Sequence, residues 1–167
     1  PSVGHIESIL EDLGYISLPL SDKIEGCKSC WLKGSNYVFL GPGQFSSWAG
    51  WSEVGISTAG TATEQLVGLG IPVVSFPGSG PQFKRGFAKR QSRLLGGSVM
   101  PCFTEAKLIK NLHLLLSDSL LRMQVGRVGK RRMGPAGGSA ALAELVASML
   151  LGNPDIKSRG KDCTLNK

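Results

Sequence analysis

Between residues 36 and 100, short apolar runs alternate with stretches of helical spacing, and glycine or proline closes most of them. The runs cover residues 37–40, 54–58, 71–76 and 98–100, and the helical stretches 45–51, 61–69 and 83–95. The runs lack the period-two alternation of a half-solvated strand. They therefore predict strands buried on both faces, the condition of a parallel sheet with helices on either side. The fold class expected is α/β, doubly wound in style.

Ahead of this core, Ile6, Ile9, Leu10 and Leu13 fall at helical spacing with Gly14 as a C-cap, so a helix is expected over 4–13. Residues 15–18 read as a short strand stopped by Pro19. Residues 21–35 show no period and read as a surface loop or insertion. Beyond the core, helices are expected over 107–116, 120–131 and 139–151, the last behind an N-cap at Ser139. The expected organisation is one domain over 1–151 with a polar tail over 152–167.

Composition sets limits on partners. The 167 residues, 41% of them hydrophobic, suffice for one buried core, and no apolar run approaches the roughly 20 residues that cross a bilayer. The chain opens Pro1-Ser2-Val3 without a charged stretch followed by an apolar one, so no targeting signal is read from it. A net charge of +7 favours anionic partners without choosing among phosphates, nucleic acid and acidic membranes. Of the 4 cysteines, Cys27 and Cys30 are spaced C-x-x-C while Cys102 and Cys163 stand alone, which fits a reducing compartment better than a disulfide framework. A zinc site would need two more ligands, and His5 and His113 have no helpful spacing to the pair, so no metal site is expected. No Ser-His-Asp arrangement or carboxylate pair is visible, and no catalytic residue is assigned within the chain.

The chemistry concentrates where the run at 54–58 passes through Ala59, Gly60, Thr61, Ala62 and Thr63 into a helix. Small side chains let a ligand approach the backbone. First-turn N–H groups have no intrahelical acceptor, and with the helix dipole they attract a diphosphate. Thr61 and Thr63 are expected to add hydroxyl donors, and Glu64 to accept from both hydroxyls of a ribose. A capping box, with Thr61 as N-cap and Glu64 three residues on, fits the same residues. The loop over 77–83 leaves the next strand at its carboxyl end and opens toward the same crevice, where the Gln82 amide can both donate and accept. A turn with a solvent-facing glutamine is the plainer reading of that loop.

Together, residues 59–74, then Gly80-Pro81-Gln82-Phe83, Phe87-Ala88, Gln91 and Arg93-Leu94-Leu95-Gly96, resemble the carboxyl-terminal domain of the lipid-A-disaccharide synthase-like family of cyanobacteria and plants, within the GT-B glycosyltransferases. The resemblance is dense from Val38 to Val99, recurs over 132–139, and is absent over 21–35. It implies an incomplete carboxyl-terminal half of a GT-B fold: a Rossmann-like parallel sheet flanked by helices, lacking its first strand and helix. It also implies transfer of a hexosyl group from a UDP-sugar, UDP-GlcNAc-like, to a lipid-linked or sugar acceptor. Here the chain would supply the donor-binding half and be inactive alone. The roles implied are ribose binding by Glu64, diphosphate binding by Gly60, Thr61, Ala62 and Thr63 with Gln65 beside them, and contact with the donor sugar by Gln82 and Phe83. Backbone groups of Phe39, Leu40 and Gly41 would hold the base.

No cofactor is implied beyond the UDP-sugar itself, and GT-B enzymes place the leaving diphosphate on backbone dipoles and cations, so transfer is expected to survive EDTA. Lys84, Arg85, Lys89, Arg90 and Arg93 form a basic face edged by Phe83, Phe87 and Leu94, with a second cluster at Lys130, Arg131 and Arg132. For a lipid acceptor this predicts peripheral contact with an anionic membrane through Lys84, Arg85, Lys89 and Arg93, at about 1 kcal/mol per charge. Nucleic acid is not expected, because aromatic residues do not interleave with these charges. The compartments implied are a bacterial-type cytoplasm or a plastid stroma. The alternative function is a non-catalytic nucleotide-binding or scaffold module derived from a truncated glycosyltransferase.

Overall fold

The computed structural model describes residues 2–19, 24–58, 60–78 and 84–150. The chain divides into two compact units, Pro1–Gly55 and Ile56–Lys167.

The first unit opens with helix α1 (Val3–Asp12), where the Ser2 hydroxyl accepts from the His5 N–H. Gly14 ends it: the Gly14 N–H donates to Glu11 O and the Tyr15 N–H to Leu10 O, the double bond of a Schellman turn. Lys33 Nζ donates to Leu13 O at 2.7 Å, placing a cation at the negative end of the helix dipole. An antiparallel meander follows, with strands β1 (Ile16–Leu18), β2 (Ser29–Lys33) and β3 (Asn36–Leu40) in the order β1-β2-β3. Cys30 and Trp31 of β2 are buried in this unit. Helix α2 (Phe45–Trp48) runs on into a 3-10 turn over Ala49–Trp51.

Two expectations are corrected here. Residues 29–33, expected in a loop, form the central strand of the meander. Residues 37–40, expected in a parallel sheet buried on both faces, pair antiparallel with β2, and Tyr37 and Phe39 lie exposed with their rings stacked at 6.0 Å. The cause is local: Lys33 pairs with Asn36 across Gly34 and Ser35, a two-residue hairpin with glycine at its first corner, φ +60°.

The second unit carries the α/β core. Strands β4 (Gly55–Ser57), β5 (Val73–Ser75) and β6 (Val99–Pro101) form a sheet in the order β4-β5-β6, and β5 and β6 run parallel. Between them lie α3 (Thr61–Gly68) and α4 (Arg85–Leu94), followed by α5 (Glu105–Ser117), α6 (Ser119–Met133) and α7 (Gly138–Leu150). All three residues of β5 are buried, as expected of a strand covered on both faces. Val67, Val73, Val74, Ala88, Val99 and Leu115 make the centre of the core. Each fully buried Val or Leu contributes roughly 1.5–3 kcal/mol. This much of the expected fold is present: an α/β unit with a parallel sheet flanked by helices, compatible with a Rossmann-like arrangement.

Helix α3 ends as α1 does, with Gly70 at φ +86° and bonds from the Gly70 and Ile71 N–H groups to Val67 O and Leu66 O. Helix α6 packs on that end through Gly126 and Gly129. Thr104 and Asp118 cap α5 and α6 with side-chain oxygens. Helix α7 buries none of its residues among those described.

Candidate functional site

Strand β4 delivers the chain to the start of α3, and the local sequence determines how the helix begins. Gly60 is the N-cap, no side chain caps the first turn, and Thr61 is already the first helical residue. The Glu64 N–H donates to Gly60 O at 3.2 Å, so Glu64 stands four residues past the cap. A capping box would require it three residues past, so that alternative is not formed. Helix α3 thus opens at Gly60 without a side-chain cap, and Thr61 is exposed while Ala62 and Glu64 are half-buried.

Thr63 departs from expectation. Its side chain is fully buried, and its hydroxyl donates to Ser57 Oγ at 2.7 Å. The hydroxyl therefore fastens α3 to β4. Gln65 is exposed.

Glu64 meets a residue to which the sequence pattern assigned no role. Gln91, on α4 and only 3% exposed, donates from Nε2 to Gly60 O at 3.2 Å and to Glu64 Oε1 at 3.4 Å. The Phe87 ring, one turn earlier, lies against Gly60. The available signal was a polar residue on the buried stripe that includes Ala88 and Leu95.

The loops after β4 and β5 adjoin. A Cβ placed on Gly78 would sit 3.5 Å from Cβ of Thr58, so both carboxyl ends open to one side of the sheet. Gln82 and Phe83 lie outside the described residues. Phe39, Leu40 and Gly41 belong to the first unit. There Leu40 O accepts from the Lys28 N–H at 2.7 Å and Gly41 O from the Gln44 N–H at 3.1 Å, so the carbonyls expected to hold a base already carry one partner each.

On the outer face of α4, Lys84, Arg85, Lys89, Arg90 and Arg93 are exposed, Leu94 is 73% exposed, and the Arg85 guanidinium lies over the Phe103 ring, 5.1 Å from its centroid. A shallow cavity of about 450 Å³ lies apart from the start of α3, lined by Arg127, Lys130, Arg131, Gly134 and Pro135. Among the described residues no helix is long and apolar enough to cross a membrane, and no group of three or more His, Cys, Asp or Glu side chains gathers as metal ligands. Cys27 and Cys30 are free thiols. No family model, curated protein or solved structure matches the chain.

Proposed function

We propose that the chain is the donor-binding half of a GT-B glycosyltransferase, with the start of α3 as the site for a UDP-sugar. The observation that carries the reading is the glycine-capped first turn of α3, which follows a sheet strand directly and bears a half-buried carboxylate held by a buried amide. A diphosphate suits the N–H groups of Thr61 and Ala62, and a ribose diol suits Glu64. The resemblance of residues 59–74 to the lipid-A-disaccharide synthase-like family supports the choice of a uridine nucleotide. In this reading Gln82 and Phe83 contact the hexose, and a second domain brings the lipid or sugar acceptor. The basic face of α4 rests on an anionic membrane when the acceptor is a lipid.

Calorimetric titration with UDP, ADP and GDP tests the proposal. UDP is expected to bind at least tenfold more tightly than the purine nucleotides, about 1.4 kcal/mol. Equal affinity for all three would reduce the site to a general anion cradle, and no binding of any would remove it.

A further inference from the structure

We infer that Gln91 is the positioning residue of this site: its amide holds the Gly60 carbonyl and the Glu64 carboxylate together, and so aims the first helical N–H and the carboxylate at one ligand. The inference rests on the reading of Glu64 as the ribose-binding group.

Glutamine is seldom buried without a partner, and at 3% exposure Gln91 sits among the core residues of α4. Both Nε2 protons face acceptors, Gly60 O and Glu64 Oε1. Reversing the amide would set its oxygen against those two oxygens, so the neighbours decide which way it faces. Its own Oε1 is buried with no partner. Leucine or methionine would fill the same volume without an orphan oxygen, so packing alone gives no reason for an amide here. The reason lies in the two donors.

Their effect on geometry follows from peptide planarity. Gly60 O accepts from Gln91 and also from the Glu64 N–H, and is thereby fixed from two sides. In a trans peptide the C=O and the following N–H point in opposite directions, so drawing Gly60 O toward α4 turns the Thr61 N–H away from it. The same amide fixes a rotamer of Glu64 before any ligand arrives. The other carboxylate oxygen and the remaining lone pair of Oε1 stay available to a diol. Affinity then comes partly from ordering already done in the free protein.

The test compares UDP with 2′,3′-dideoxy-UDP on the wild type, Gln91→Met and Glu64→Ala, with a thermal melt of each. The wild type is expected to prefer UDP by roughly tenfold or more, and Gln91→Met to lose most of that preference while remaining folded. Glu64→Ala should lose it entirely, and adding Gln91→Met to Glu64→Ala should change the preference no further. A merely structural glutamine would weaken both ligands by one factor and leave their ratio intact, which would overturn the inference while leaving the ribose reading standing. A wild type that does not distinguish the two ligands would end both. Should Gln91→Met fail to fold, the wild type still decides. The Gln91 side-chain amide resonances are expected to shift further on adding UDP than on adding the dideoxy analogue; equal shifts, or none, would overturn the inference.

Discussion

Gly126 of α6 lies so close to the carbonyl of Gly70, at the end of α3, that a Cβ on Gly126 would overlap that oxygen. One turn on, a Cβ on Gly129 would come within 2.6 Å of Ser98 Oγ and Val67 Cγ1. The two helices approach at a distance only glycine permits, and the contact fixes the carboxyl end of the helix whose other end forms the candidate site.

Gly126→Ala is therefore expected to destabilise the protein by about 1–3 kcal/mol, as overpacking does, despite alanine's better helix propensity. Gly86→Ala on α4, where nothing lies within 4 Å, should instead stabilise by about 0.5–1 kcal/mol. Denaturant melts of the two variants decide it. The same sign for both would contradict the packing described.

Thr63→Val keeps the shape and the backbone N–H but removes the hydroxyl bonded to Ser57. Stability should fall by about 1 kcal/mol, while UDP affinity stays within about twofold. A large loss of affinity without a loss of stability would return the hydroxyl to the ligand.

The limits of what the sequence showed are physical. The carboxyl ends of helices α3 and α4 were legible to within a residue because Gly70 and Gly96 close them with bonds that follow from local chain geometry. Strand β2 was not, since Cys30, Trp31 and Leu32 sit in a stretch of lysine and glycine with no periodic signal. The apolar run of β3 looked like a parallel strand because Tyr37 and Phe39 lie on its open face, where polar residues were expected. At the site, the cradle of small residues and Glu64 were visible in order along the chain. The Gln91 clamp was not, because it joins residues 31 positions apart and depends on how α4 packs.

Cys102 offers a pH-dependent check on the core. Burial pushes its thiol above the ordinary value, against the lowering effects of the Asn111 hydrogen bond and the Lys107 charge. The unfolded chain therefore ionises this thiol first as pH rises. The stability associated with it is complete below the ordinary thiol value, roughly 8.5, and is lost as pH climbs through the higher folded value. Between pH 7 and pH 9.5, the wild-type denaturation midpoint is expected to fall further than that of Cys102→Ala. Parallel declines would show that the buried thiol carries no such linkage.

In the proposed function Glu64 binds the ribose of a uridine nucleotide at the start of α3. Calorimetric titration of wild type and Glu64→Ala with UDP, each beside a denaturant melt, tests this role. Hydrogen bonds to a charged group contribute roughly 1.5–3 kcal/mol each, so the substitution should weaken UDP binding at least tenfold while the melt changes little. Unchanged UDP affinity with a lowered midpoint would contradict the claim and leave Glu64 as a structural residue of α3.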